Sequence, residues 1–457
     1  MNTAKCISPI DGSLYAERPY ASLDEARAKI EAARKAQIAW AARPLEERVA
    51  LVSAGVKRIG EETERMTTEL AWQMGRPVRY GGEWGGFVER ADYMAKIAGQ
   101  ALAPTIVETS EAVERRILRV PHGVAFVIAP WNYPYLTANN TIGPALIAGN
   151  AVILKHAAQT LLVGEHLVEA FTKAGVPEDV FVNLVLDHQT TETLIGERAF
   201  DFINFTGSVA GGKAIEKAAA GTFTPLGLEL GGKDPGYVRE DADVDNAVAI
   251  LIDGAMFNSG QCCCGIERIY VHESLYDAFV EKAVEMVKGY KLGNPLDQET
   301  TIGPMAHKRF AETVRAQVSE AIAAGAKAHL EPFEGDEGGA YVSPQVLTNV
   351  DHSMRVMMEE TFGPIVGIMK VKDDEEAIGL MNDSPYGLTA SIVTKDAETA
   401  GRIGERLRTG TVFMNRADYV DPALCWTGCK DTGRGGAMSA IGYQNLTRPQ
   451  SFHLNKA

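Results

Sequence analysis

The sequence predicts an α/β protein in which a parallel sheet carries helices on its faces, and three observations lead there. Short apolar runs recur at 123–129, 151–154 and 180–185, each of a length that suits a buried strand. Segments with helical apolar spacing separate them, an alternation expected of crossover connections between parallel strands. Hydrophobic residues make up 46% and charged residues 23% of 457 positions, the balance of a folded globular chain rather than a disordered or fibrous one.

The first third reads as helix. Ser22-Leu23-Asp24-Glu25 has the form of a capping box, and Leu23, Ala26, Ile30 and Ala33 follow at helical spacing, so a helix is predicted from Ser22 to near Pro44. Leu45, Val49, Val52, Val56 and Ile59 define one face of a second helix ending at Gly60. Alternation of polar and apolar residues from Glu111 to Val120 predicts an exposed antiparallel hairpin. The strand Gly123–Ala129 is closed by Pro130. At about 150 residues per domain the chain holds roughly three structural units.

A formal net charge of -15 and a pI near 5.2 disfavour nucleic acid or an anionic membrane as partners of the overall field. The stretch Met1 to Cys6 opens without an apolar run of signal-peptide length, and no segment reaches the ~20 apolar residues of a spanning helix. A cytoplasmic chain is expected. Six cysteines, three of them consecutive, are too few for a disulfide scaffold, and without paired spacing or clustered histidines no metal site is expected.

In a parallel sheet ligands sit beyond the carboxyl ends of strands, which directs attention to loops. Phe257-Asn258-Ser259-Gly260-Gln261-Cys262-Cys263-Cys264 lies between a helical run and the strand-like Arg268–Val271. A thiolate there is a candidate nucleophile; taken alone, the triplet reads as readily as three buried small hydrophobes. In Leu228-Glu229-Leu230-Gly231-Gly232-Lys233 a carboxylate flanked by leucines is partly desolvated, which raises its pKa towards that of a general base.

Together these two segments resemble the signature motifs of the aldehyde dehydrogenase superfamily, and the likeness extends over nearly the whole chain. The resemblance implies that Cys263, two places after Gln261, is the nucleophile and that Cys262 and Cys264 are its neighbours. It implies that Glu229 activates the thiol or the hydrolytic water. Pro130-Trp131-Asn132-Tyr133-Pro134 resembles the family's Pro-Trp-Asn-Phe-Pro, whose asparagine donates to the oxyanion together with the backbone N–H of the nucleophile. The implied reaction is oxidation of an aldehyde to a carboxylic acid through a cysteine thiohemiacetal and thioester. Relatives that pass the acyl group to coenzyme A commonly lack the glutamate, so its presence favours release of free acid.

No Gly-x-Gly-x-x-Gly fingerprint opens a βα unit. The resemblance places the cofactor elsewhere: Thr206, Gly207 and Ser208 on the pyrophosphate side, Glu360 at the nicotinamide ribose, Phe362 flanking the ring, and Lys155 and Trp131 alongside. Ala158 stands where NAD-preferring relatives usually carry a glutamate, so either NAD or NADP is expected. The implied tunnel takes Tyr133, Leu136, Thr137 and Asn140 from one wall and Tyr419, Val420 and Trp426 from the other. Asp418 and Asp421 near the entrance would favour a cationic aldehyde and Arg416 an anionic one, so these charges conflict. The implied architecture is aldehyde dehydrogenase-like. It comprises a Rossmann-type cofactor domain at 1–100 and 122–231, a catalytic α/β domain at 232–446, and an oligomerisation element at 101–121 and 447–457. That element is expected to make a homodimer or homotetramer.

Overall fold

The computed structural model describes residues 2–331 and 339–456, so residues 1, 332–338 and 457 of the ranges above lie outside the described residues. The capping box forms as its spacing requires. Ser22 Oγ accepts from the Glu25 amide at 3.3 Å while the Glu25 carboxylate accepts from the Ser22 amide at 2.8 Å. The helix Leu23–Ala41 that it starts buries Ala26, Ile30 and Ala33 and stops three residues before Pro44. The helix Leu45–Gly60 buries Val52, Val56 and Ile59.

Among the described residues the strands form four sheets. The first runs in the spatial order Gly433–Arg434, Leu226–Glu229, Phe202–Thr206, Val124–Ile128, Ala151–Lys155 and Phe181–Asn183. All of its pairings are parallel except that of Gly433–Arg434. Along its central strand Ala125 and Val127 join one apolar cluster while Val124, Phe126 and Ile128 join another. Both faces are therefore covered, which is why these strands read as unbroken apolar runs. Chain order reverses between Val124–Ile128 and Phe202–Thr206, the kind of switch point where open α/β sheets bind ligands.

A second sheet has the order Lys327–Ala328, Gln345–Thr348, Ile365–Val371, Ile266–His272, Asp234–Val238, Thr389–Val393 and Thr411–Met414, antiparallel only at Lys327–Ala328. Asn2 apart, the amino-terminal strands Thr3–Ile7 and Leu14–Pro19 pair with each other. The fourth sheet corrects an expectation. Residues 111–120 are not a complete hairpin, because Ser110 makes the turn by bonding to Val113 and the hairpin partners are Thr105–Thr109 and Val113–Pro121. Thr447–Asn455 adds to the other side of Val113–Pro121. No helix among the described residues is long and apolar enough to cross a membrane.

Candidate active site

Residues at the carboxyl ends of the first sheet meet loops of the second around a cavity of about 920 Å³. Trp131 and Asn132 follow the strand Val124–Ile128, Lys155 ends Ala151–Lys155, Thr206 ends Phe202–Thr206, and Glu229 ends Leu226–Glu229. From the second sheet, Cys263 precedes Ile266–His272, and Glu360 and Phe362 precede Ile365–Val371. All of these line the cavity, as do Ala158, Gly207, Ser208, Tyr133, Leu136, Thr137, Asn140, Tyr419, Val420 and Trp426.

The cysteine loop is held in an uncommon backbone conformation. Asn258, Ser259 and Gly260 have φ of 53°, 57° and 68°, a left-handed run that L-residues other than glycine and asparagine seldom adopt. A Cβ on Gly260 would lie 2.1 Å from Gly363 O, so glycine is required there on steric grounds as well. Ser259 is pinned through its hydroxyl, which donates to Gly303 O at 3.1 Å and accepts from Gly303 N at 3.0 Å. Asn258 Nδ2 donates to Asn132 O and to Gln261 O, both at 3.2 Å, and Asn132 Nδ2 donates to Gln261 O at 3.3 Å. The asparagine of the Pro-Trp-Asn turn and the cysteine loop are thus one hydrogen-bonded unit.

Of the three cysteines only Cys263 is partly exposed; Cys262 and Cys264 are buried. Their thiols lie 2.8 and 3.2 Å from one oxygen of Asp418, whose pKa burial pushes well above the usual carboxylate range. Hydrogen bonding from Cys262 first and Cys264 second outweighs burial at Cys263 and lowers its thiol to about 6. The Cys262 thiol is pushed up to about 12, chiefly by its bond with Cys263. The middle sulfur is therefore the one that ionises first and the one a reactant can reach.

Burial raises Glu229 to about 7, against the opposing bond from Thr206 Oγ1 at 3.3 Å. The paired register of Thr206 and Glu229 on neighbouring parallel strands sets up this bond. Thr206 therefore supports the carboxylate besides lining the cavity. Ser208 caps the helix Val209–Ala219 by accepting from Gly211 N at 3.2 Å, which leaves its O–H free to donate and, among the described residues, the amides of Val209 and Ala210 without an acceptor. Side chains on Gly207 or Gly211 would meet the Phe205 ring at 2.8 and 2.6 Å, so both positions stay bare. The Lys155 ammonium has no hydrogen-bond or ion-pair partner among the described residues, and burial lowers its pKa. Glu360 accepts from Gly232 N at 3.0 Å and is raised to about 8, first by burial and then by Glu267. Trp131 stacks on Phe310 at 5.2 Å and meets the edge of Phe362 at 5.6 Å. An open helix amino terminus, an unpartnered ammonium, a free carboxylate oxygen and an aromatic wall fit the pyrophosphate, ribose and ring of a nicotinamide dinucleotide.

The entrance charges sort themselves by geometry. Arg416 lies over the Tyr419 ring at 3.5 Å and Asp421 caps the Ala423 amide at 2.8 Å; neither lines the cavity. Asp418 does, facing the two buried thiols.

Several positioning residues carried no sequence signal. Arg76 pairs with buried Glu83 at 2.6 Å and donates to Asn132 O at 2.6 Å and Asn258 Oδ1 at 3.2 Å. The other oxygen of Glu83 accepts from Tyr135 N and Leu136 N at the start of the helix Pro134–Ala148. Glu267, ion-paired with Lys233, takes the amides of Thr361 and Phe362 at 2.8 Å each and so fixes the Glu360 loop. Arg90 lines the cavity as well. The signal available for it was an arginine on the same helical face as the apolar Phe87 and Met94.

Comparison with known proteins agrees with this geometry. A profile described as the aldehyde dehydrogenase family matches residues 1–452. A succinate-semialdehyde dehydrogenase [NADP(+)] of Deinococcus radiodurans is 32% identical over 96% of this chain and 92% of its own. A lactaldehyde dehydrogenase of Escherichia coli K12 is 30% identical over 98% and 94%. The crystal structure of an NAD-dependent aldehyde dehydrogenase from Sinorhizobium meliloti superposes with a TM-score of 0.94 at 31% identity, covering 100% of this chain and 92% of that one. The chain belongs to the aldehyde dehydrogenase family and is an NAD(P)-dependent enzyme that oxidises an aldehyde to a carboxylic acid through a covalent cysteine adduct.

Proposed function

We propose that Cys263 is the nucleophile, Asn132 an oxyanion donor and Glu229 the base for hydrolysis. The observation that carries this assignment is the shared cavity, in which the accessible, acidified sulfur of the triplet joins the Asn132 amide and a carboxylate with a pKa near 7. The Cys263 thiolate forms a carbon–sulfur bond to the aldehyde carbon while the carbonyl oxygen takes the negative charge. Asn132 Nδ2 and the Cys263 backbone N–H stabilise that charge. When bound, the nicotinamide would accept the hydride lost from the adduct carbon, whose oxyanion then closes to the carbonyl of a thioester on Cys263. Glu229 then removes a proton from water as it attacks the thioester; the carbon–oxygen bond forms, the carbon–sulfur bond breaks, and the thiolate is regenerated. A panel of aldehydes monitored by the absorbance of the reduced nicotinamide tests the whole scheme, and absence of turnover with every aldehyde and both cofactors would reject it.

Lys155, Trp131, Thr206, Gly207, Ser208, Glu360 and Phe362 are assigned to the cofactor, and Tyr133, Leu136, Tyr419 and Trp426 to the substrate. With Ala158 in place of a carboxylate, nothing at that position repels a ribose 2′-phosphate. NADP+ is expected to give kcat/KM within about a hundredfold of NAD+, some 2.7 kcal/mol. Ala158→Glu should lower the NADP+ value more than the NAD+ value. A wild-type preference for NAD+ beyond that bound would contradict the reading.

We assign the cofactor domain to 1–100 and 122–231 and the catalytic domain to 232–446, with 101–121 and 447–457 as the oligomerisation element. Its sheet has Thr105–Thr109 and Thr447–Asn455 as open edges and exposes Ile106, Val107 and Leu454, features that favour pairing with a second copy. Sedimentation at micromolar concentration is expected to give a dimer or tetramer, and a monomer would reject that assignment. A cytoplasmic location goes with it, checked by cell fractionation.

A further inference from the structure

Arg90 is the one arginine of the helix Trp84–Ala101 that turns inward, three residues after buried Phe87 and four before buried Met94. It lines the cavity together with Asn140, Glu229 and Cys263. Its Nη1 donates to Asn140 Oδ1 at 3.1 Å, and its Nε is buried without an acceptor. No carboxylate among the described residues reaches it at ion-pair distance. The acidic groups around it are otherwise engaged: Glu83 with Arg76 and two helix amides, Glu229 with Thr206, Glu89 at the entrance with Tyr419 Oη at 2.6 Å, and Asp418 with two thiols. A buried guanidinium without a counter-ion is costly, and the cost is recovered when an anion binds. Its planar donor fork matches the two oxygens of a carboxylate.

We propose that Arg90, backed by Asn140, is a carboxylate-binding subsite beside the nucleophile, and that the preferred substrates are aldehydes that also carry a carboxylate. The proposal rests on the assignment of Cys263 made above. Asn140 holds the guanidinium by one nitrogen, leaving Nη2 for the substrate. Neither Arg416, which lies outside the cavity, nor Asp418, which is held by thiols, then sets the preference.

The test compares kcat/KM for succinic and glutaric semialdehydes with that for butanal and pentanal, in the wild type, Arg90→Gln and Arg90→Lys. The wild type is expected to favour the carboxylated aldehydes at least tenfold. Arg90→Gln should reduce that ratio about thirtyfold, mainly through KM, and Arg90→Lys should restore part of it, as a charge without the fork would. Alkylation of Cys263 gives a reading free of turnover and of cofactor. The iodoacetate-to-iodoacetamide rate ratio should fall in Arg90→Gln and recover partly in Arg90→Lys. Turnover of butanal with no preference for carboxylated aldehydes overturns the subsite and leaves the aldehyde dehydrogenase assignment standing. Equal losses for both substrate classes and both alkylating agents also overturn it, because the arginine would then act only on the thiolate. If no aldehyde is turned over, the reading of Cys263 fails instead, and the alkylation ratio still decides whether Arg90 recruits anions.

Discussion

Replacement of Cys263 by alanine is expected to lower kcat by at least about 10⁴-fold, the scale of loss when a nucleophile is removed from a set of groups that act as a unit. Neither neighbour can substitute. Cys262 and Cys264 are buried, both bond to Asp418, and both hold their protons far more tightly than Cys263. Because the thiolate is the reactive form, alkylation of Cys263 should speed up as pH rises through about 6 and then level off. Peptide mapping after brief exposure to iodoacetamide should show label at Cys263 and little at its neighbours. Dehydrogenase activity in Cys263→Ala within a hundredfold of wild type, or label chiefly on Cys262 or Cys264, would refute the assignment.

The second large effect is expected at Glu229. Glutamine keeps the shape and accepts the Thr206 hydroxyl but cannot take a proton from water, so thioester hydrolysis should slow by about 10²–10⁴-fold. Attack and hydride loss precede that step. Rapid mixing of Glu229→Gln with aldehyde and cofactor should therefore show a burst of reduced nicotinamide close to one per site, followed by slow turnover, with the acyl group recoverable on Cys263. The sign of the pH dependence follows from the role: a base works when unprotonated, and burial raises this carboxyl to about 7. Wild-type kcat should rise with pH through about 7 and flatten above it, and the rise should be missing from the variant. A variant that hydrolyses the thioester at the wild-type rate would remove Glu229 from the mechanism.

How much of this was legible in the chain depends on the range of the interactions concerned. Ser22 and Glu25 are three residues apart, and a capping box needs nothing beyond them, so the first helix could be read directly. The apolar runs at 123–129 and 151–154 could be read because both faces of their sheet are covered. Alternation by itself put the hairpin several residues too late, because it marks a half-exposed strand but does not say where its partner lies, and Ser110 bonds to Val113 in a turn at the start of the alternating segment.

The candidate site divides in the same way. Cys263, Glu229 and Asn132 each lie in a short motif that resembles one of the family's, so the sequence nominated them through that resemblance, while the alternation of strands and helices pointed to the loops that follow strands as the place for ligands. Only tertiary structure decided that the middle sulfur is the accessible one, that Arg416 and Asp421 leave the cavity while Asp418 faces it, and that Arg90 stands inside it without a counter-ion. Arg76 to Asn258 spans 182 residues and Glu267 to Thr361 spans 94. The physical reason is that backbone propensity and side-chain periodicity act over a few residues, whereas burial and charge pairing are fixed by whichever distant segments the sheets bring together.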